Sequence, residues 1–471
     1  MTMGLLYETD WLASTPVFFK AKTGAADTDI WRVLPAAGEP FTFDPEGLYN
    51  YLDFGYSVFG QTPVADVRFL PPAARLYLNT NGSLEVERLA DPVEHWWDYR
   101  LAEDEVIELI RSRVQSWEAA LPPDQEIVLP LSGGFDSRLL LWCLRDKSRV
   151  RAYTYGLSED QDYSTEVVHA RALAQRFGIR WERIPLGDFH RFFADWDVAF
   201  GLSTHAHGMY HFEFYNRIRE RLDGEQAFLS GIIGDVWAGS IPPRQCEGPD
   251  DLVQLGYTHG MRAEPSRLRL PATHGLREQF WSDHGERLTD HRFQVVTSMR
   301  LKLMLLSYLM RVPRLFGFQP WTPYLDIDIA MAMLNLPPER RANRQWQRDF
   351  FAKVGLDLEN QGLVSSWQNN LNHQGTRHIP LRPLDRTVLA EVIDPRYVDW
   401  INRTIPPDMR HADRLQWLDR MLRRVRGGGR LSNLLQLQPR IRHNEKDWRE
   451  AYCAYLTLKP LEASLSRSAA S

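Results

Sequence analysis

The segment Ile127-Val128-Leu129-Pro130-Leu131-Ser132-Gly133-Gly134-Phe135-Asp136-Ser137 constrains this chain more than any other. An apolar β-run breaks at two glycines and resumes as the apolar helical stretch Arg138–Leu144. Gly133 and Gly134 let the backbone turn sharply and approach a ligand with no Cβ in the way. Ser132 and Ser137 supply hydroxyl donors. The free N–H groups and positive dipole at the start of the following helix attract an anion. Together these make a cradle for phosphate. It is not of the Walker type, because no Gly-Lys-Ser or Gly-Lys-Thr occurs anywhere in the 471 residues. Asp136 adds a condition: a carboxylate beside a phosphate is repelled unless a cation bridges them, and Mg²⁺ binds carboxylates together with substrate phosphates. The plainer alternative is a turn whose Asp only caps a helix.

The surrounding pattern is a β/α alternation. Val106, Ile107, Ile110, Val114 and Trp117 recur at helical spacing until Pro122-Pro123 stops them. Strands are expected at Val150–Tyr155, Trp181–Leu186 and Ala227–Ser230, with a helix over Ser164–Phe177 between the first two. Such units build a parallel sheet covered on both faces, and its ligands bind at the carboxyl ends of the strands. The fold class is therefore α/β. The remainder reads as mostly helical, with one long apolar helix at about Val295–Met310. The stretch Arg423–Arg430, with three glycines in a row, reads as a basic flexible loop: a solvated linker before a phosphate- or partner-binding patch.

The first hundred residues differ. Short β-branched and aromatic runs (Thr15–Phe19, Ile30–Leu34, Phe41–Phe43) are punctuated by Gly, Pro and Asp, and Pro45–Tyr51 looks helical. Two alternating runs, Ala73–Leu78 and Leu84–Leu89, flank an Asn81-Gly82 pair, a hairpin signal. This β-rich unit is expected to close near Trp96-Trp97 and to pack against the α/β region beyond it.

Composition excludes several classes. With 44% hydrophobic and 25% charged residues the chain is globular, and a net charge of -5 argues against an overall nucleic-acid footprint. Only seven of the 56 basic residues are lysines, so a mechanism needing one has few candidates. Three widely spaced cysteines (Cys143, Cys246, Cys453) fit a reducing compartment. The start has no basic region before an apolar run, and no apolar run approaches the ~20 residues that cross a bilayer, so a cytoplasmic, soluble protein is expected.

The loop Ser132–Ser137 resembles the pyrophosphate-loop signature of the ATP pyrophosphatase superfamily, and its surroundings resemble the asparagine synthetase family. Four further segments carry the narrower likeness. Ala152-Tyr153-Thr154-Tyr155-Gly156 is similar to the family's second strand, near the adenosine. Ser158-Glu159-Asp160, opening the helix Ser164–Phe177, is similar to its adenosine-side segment. Leu229-Ser230-Gly231-Ile232-Ile233-Gly234-Asp235 resembles its second Gly-rich loop, whose Asp helps hold Mg-pyrophosphate. Pro323-Tyr324-Leu325-Asp326 resembles its Pro-Phe-Leu-Asp segment. The likeness covers about residues 40–350 and is strongest over 126–240.

The resemblance implies an adenine-nucleotide α-hydrolase-like synthetase over residues 99–471, with a core at 101–345 and a mostly helical extension at 346–471. Residues 1–98 would then be a truncated, inactive glutaminase-like domain. It implies ATP bound by Leu131, Ser132, Gly133, Gly134, Asp136, Ser137, Tyr155, Gly156, Gly231 and Gly234, with Mg²⁺ on Asp136 and Asp235. Chemistry would follow the family: a substrate carboxylate is activated as an acyl-adenylate, releasing pyrophosphate, and an amine or ammonia then displaces AMP.

Three departures qualify it. Position 2 is Thr2, where complete family members carry a nucleophilic Cys, so glutamine hydrolysis is not expected. Val236 follows Asp235 where an acidic residue is usual. The segment supplying the family's catalytic lysine is absent from Gln361–Arg382; Lys353 is the nearest candidate, with a plain surface role as its alternative, and Arg344, Arg348 or Arg377 could take over pyrophosphate charge. Loss of the glutaminase nucleophile is typical of β-lactam synthetases and lasso-peptide cyclases. A peptide- or glycan-tailoring ligase with a partner from a biosynthetic cluster therefore stands beside asparagine biosynthesis. From other classes, a tRNA-modifying pyrophosphate-loop enzyme lacks its basic module here, and a non-catalytic binding protein leaves the intact loop unexplained. His205, His207 and His211, with Glu213, could suggest zinc, but substrate contact or packing is the expected role.

Overall fold

The structure is a computed structural model describing residues 4–35, 42–256, 260–405, 418–419, 421–422, 431, 433 and 435–469. Thr2 and the basic stretch Arg423–Arg430 lie outside the described residues.

Five parallel strands form the central sheet. Numbering strands along the chain, β1 (Gly4–Glu8), β2 (Phe18–Lys20), β3 (Ala25–Asp27), β4 (Arg68–Phe69), β5 (Ala74–Leu78) and β6 (Leu84–Arg88) precede it. The sheet itself is β7 (Ile127–Pro130), β8 (Val150–Thr154), β9 (Arg180–Arg183), β10 (Gln226–Leu229) and β11 (Phe318–Trp321), in the order β11-β10-β7-β8-β9. Every neighbouring pair in it is parallel. Along β7, Ile127 and Leu129 enter one apolar cluster and Val128 the other, so both faces of the sheet are buried. Chain order reverses at β7: later strands run out on one side to β8 and β9, and on the other to β10 and β11. The loops after β7 and β10 therefore flank the topological switch point, where such sheets bind ligands.

The helices follow the apolar spacing. Helix α2 (Glu103–Ala120) buries Val106, Ile107, Ile110 and Val114. Trp117 instead stacks on Trp321, ring centroids 4.9 Å apart, at the sheet edge. Helix α3 (Phe135–Cys143) starts three residues before the expected point, because the loop hands over to the helix at Gly134, its N-cap. Helix α4 (Thr165–Phe177) ends at Gly178, φ 65°, a left-handed stop that costs glycine little.

Several expectations are corrected. Ile30–Leu34 is not a strand: Asp29 accepts a hydrogen bond from the Trp31 N–H at 3.1 Å and starts a 3₁₀ turn, Ile30–Arg32. Thr15–Phe19 yields strand only at its end, as β2; of the run Phe41–Phe43, Phe41 lies outside the described residues and Phe43 forms an isolated bridge to Val64. Trp181–Leu186 pairs over Arg180–Arg183. The apolar stretch Val295–Met310 is two helices, His291–Leu301 and Leu303–Leu315, broken at Lys302. Strand β11 has no clear signal because Pro320 interrupts it; an edge strand tolerates a missing ladder N–H.

The amino-terminal segment forms two three-stranded antiparallel sheets, β1-β5-β6 and β3-β2-β4, and one helix, α1 (Pro45–Phe54). The β5–β6 pair is the expected hairpin. This segment is stitched to the rest: Trp11 Nε1 donates to the Leu325 carbonyl (2.9 Å), Arg300 pairs with Asp91 (2.6 Å), and Tyr51 donates to the Thr457 carbonyl (2.9 Å) in the carboxy-terminal helix Leu437–Ala469. No helix of the described residues is long and apolar enough to cross a membrane.

Candidate active site

Two glycine loops meet at the switch point. The first leaves β7 with the Leu131 N–H bonded to the Tyr153 carbonyl at 2.9 Å. Gly133 adopts φ +70°, and a Cβ there would lie 2.3 Å from the Cβ of His169 on α4. Only glycine lets the loop press this closely on α4. Ser132 and Gly134 are exposed, so hydroxyl and backbone are open to a ligand. The Ser132 and Ser137 hydroxyls stand 3.3 Å apart across the mouth of α3.

Arg138 holds the loop from below. Its fully buried guanidinium donates to the Gly133 carbonyl at 2.6 Å, to the Leu356 carbonyl at 2.9 Å and to Glu359 at 2.8 Å. These are charge-assisted bonds, so residues 356–359 fix the conformation of a loop more than 200 positions earlier.

The second loop, after β10, packs on the first. A Cβ on Gly234 would lie 2.9 Å from the Asp136 carboxylate and 2.7 Å from the Tyr324 ring; one on Gly231 would lie 3.1 Å from the Ser137 nitrogen. Between these glycines Ile233 has φ +57°, a conformation β-branched residues rarely adopt. Such strain persists where surrounding packing over-determines it. Asp235, next in line, accepts a hydrogen bond from the Ser240 hydroxyl at 2.9 Å.

This packing makes Asp136 electrostatically unusual. Burial, then the neighbouring Asp235 charge, push its carboxyl up to about 7, against the partial opposition of Arg344. Its Oδ1 is buried and accepts no hydrogen bond. The Gln347 amide faces the carboxylate closely enough to favour its charge, yet makes no hydrogen bond of good geometry. Two carboxylates crowded together with an orphaned oxygen form a donor set that suits a divalent cation shared with phosphate oxygens.

Arginines ring the other side. Arg344 reaches Asp136 at 3.7 Å and lies over the Phe135 ring at 4.7 Å; Arg348 lies over the same ring at 5.2 Å. Consecutive left-handed residues, Asn343 (φ 52°) and Arg344 (φ 56°), swing the chain into the helix Gln345–Lys353 and aim Arg344 at the loop. Lys353 ends that helix exposed, with no hydrogen bond or ion pair among the described residues. Arg377 stands elsewhere, 3.6 Å from Glu159.

On the far side of β8, the Tyr155 ring lies 4.9 Å from Phe214 and 5.7 Å from Tyr210. A Cβ on Gly156 would meet the Gln161 carbonyl at 2.4 Å and the Ser164 hydroxyl at 2.5 Å, which folds the segment 158–164 tightly on the strand end. His211 is buried among these rings, which pushes it down to about 3. Glu213 is committed elsewhere, accepting from the Gly187 and Asp188 N–H groups at 3.0 Å each and pairing with Arg217 at 2.8 Å. Among the described residues no three His, Cys, Asp or Glu side chains form a metal cluster. Asp326, in the segment after β11, pairs with Arg113 at 2.7 Å and so ties α2 down; Tyr324 is the member of that segment facing Asp136.

Sequence reasoning named both loops and Arg344. It missed Tyr324's approach to Asp136 and the pinning role of Arg138, neither of which has a local signature. A family model described as asparagine synthase matches residues 114–355, which include both glycine loops and Arg344. No match to a curated protein was found.

Proposed function

Because the chain belongs to the asparagine synthase family, whose members are ATP-dependent amide-forming ligases, we propose that it activates a substrate carboxylate as an acyl-adenylate and passes the acyl group to an amine or ammonia. The observation that carries this reading is the meeting of the open Ser132–Ser137 cradle with the Asp136–Asp235 pair at the switch point of the sheet.

In this reading the loop N–H groups and the Ser132 and Ser137 hydroxyls hold the pyrophosphate moiety at the head of α3. Asp136 and Asp235 would hold Mg²⁺, which when bound neutralises polyphosphate charge. Tyr155 and Gly156 border the adenosine. The substrate carboxylate oxygen attacks the α-phosphorus and the bond to the bridging oxygen breaks, so pyrophosphate leaves with its electron pair. Arg344, fixed beside the loop, faces the charge that develops on that leaving group, with Arg348 nearby. The amine nitrogen then attacks the acyl carbon and loses a proton, and AMP departs. The protein contributes placement and preorganised charge. Residues 1–98 carry no cysteine, so the nitrogen donor is an amine or free ammonia and not glutamine. A substrate carrying its own amine, as in peptide cyclisation or glycan tailoring, fits this as well as aspartate does.

The test is product analysis. With Mg²⁺, ATP, ammonium and a panel of carboxylates including aspartate, turnover should release AMP and pyrophosphate, read by phosphorus NMR. ADP and phosphate as products would exclude the adenylating mechanism.

A further inference from the structure

A cavity of about 820 Å³ opens between the amino-terminal unit and the helices Gly275–His284 and His291–Leu301. No residue of either glycine loop lines it. Rings carry its wall from one unit to the other: Phe59 lies 5.5 Å from Phe280, Phe280 4.7 Å from His284, and His284 6.0 Å from Phe293. Arg300 pins the two sides together, binding both oxygens of Asp91 at 2.6 and 2.8 Å and the Trp11 carbonyl at 2.9 Å. The volume falls within that of small-molecule sites, roughly 300–1,000 Å³, which join apolar walls to a few polar groups and favour the junctions between structural units. Four arginines line the cavity, Arg68, Arg88, Arg287 and Arg300, against two aspartates, Asp91 and Asp283. Three of the arginines are taken: Arg300 by Asp91, Arg287 by Glu94 at 2.8 Å and Arg68 by Asp44 at 3.8 Å. Arg88, at the end of β6, is exposed and makes no side-chain hydrogen bond or ion pair among the described residues.

We propose that this cavity is a second binding site, for a small aromatic carboxylate whose ring lies among Phe59, Phe280 and Phe293 and whose carboxylate pairs with Arg88. The walls select the body of the ligand, because flat rings stack edge or face against rings; such contact is worth about two- to ten-fold in affinity beyond the area it buries. The cation selects the head. One unpaired guanidinium matches one negative charge, and its planar fork fits a carboxylate through two parallel hydrogen bonds. A charge-assisted hydrogen bond of this kind is worth at least about ten-fold in affinity. Arg287 adds positive charge to the same wall, its guanidinium lying 4.2 Å over the Phe293 ring. The amino-terminal unit then serves as half of a ligand site, and not only as cover for the synthetase region. This inference does not depend on what the glycine loops bind.

The experiment is calorimetric titration of the full-length protein with naphthoate, decanoate and naphthylmethylammonium, for wild type, Arg88→Glu and Val86→Trp. Naphthoate should saturate one site per chain, with decanoate at least about two-fold weaker and the ammonium, which keeps the ring and reverses the charge, at least about ten-fold weaker. Arg88→Glu should weaken naphthoate at least about ten-fold and melt with wild type, because the arginine it replaces is exposed and holds no partner. Val86→Trp, from a half-exposed strand position that lines the cavity, should fill the space and abolish binding. Saturating Mg-pyrophosphate should leave naphthoate affinity unchanged. No saturation by naphthoate at millimolar concentration would overturn the proposal, as would wild-type affinity in Arg88→Glu or displacement by Mg-pyrophosphate. Equal affinity for the ammonium would overturn the choice of an anion, and tighter binding of decanoate the choice of an aromatic body. Should Val86→Trp fail to fold, Arg88→Glu decides alone.

Discussion

Replacing Asp136 by Asn should make the protein more stable and less active at once. The carboxyl moves from 3.8 in an open chain to about 7 in the fold, first through burial and then through Asp235. At about 1.36 kcal/mol per pH unit, keeping it ionised in the metal-free fold costs roughly 4 kcal/mol as an upper figure, and about 2–4 kcal/mol is the working range. Because the folded value is raised, this cost is absent below about pH 4, grows as pH rises through the interval to 7, and is flat above it. Asn has nearly the same shape and carries no charge, so it escapes the cost. The stability difference between variant and wild type, read from urea unfolding in the presence of a chelator, should be near zero at pH 4 and about 2–4 kcal/mol in favour of Asn at pH 8. Adenylation should fall at least about 10²-fold, as expected for losing a major electrostatic stabiliser. A difference at pH 8 that is zero or negative, or one that does not change with pH, would refute the account of Asp136 as a strained carboxylate kept for its ligand.

Three further outcomes rest on the same geometry. Asp235→Asn should also cost at least about 10²-fold in adenylation without loss of fold; wild-type turnover would reduce the second loop to a structural element. Arg344→Ala should depress pyrophosphate release far more than Lys353→Ala, since only Arg344 reaches Asp136, at 3.7 Å; the reverse order in stopped-flow release assays would restore the lysine. Deleting residues 1–95 removes the Trp11 bond to Leu325 and the Asp91 pair with Arg300, and strips cover from Trp237, whose ring centre lies 5.5 Å from that of Trp11. That variant should be insoluble or melt well below the full chain, and glutamine labelled at its amide nitrogen should leave the intact enzyme's product unlabelled.

What the sequence determined by itself was local and periodic. The apolar run Ile127–Leu131, the paired glycines and the spacing Val106 to Val114 each encode an element within a dozen residues, so strand, loop and helix could be read where they stand. The β/α alternation then dictated a parallel sheet and, through it, the edge at which a ligand binds. Where a capping side chain overrode propensity, as at Asp29, that reading failed, because one local hydrogen bond outweighs a weak preference. Tertiary structure alone decided which charges share the site. Asp136 and Asp235 lie 99 positions apart, Arg344 stands 109 beyond, and Arg138 is anchored by Glu359. The two carboxylates repel and the arginine sits in a left-handed backbone; each is a cost that only long-range packing imposes. Periodicity carries no record of such costs, since each arises from the distance between segments and from the water excluded between them.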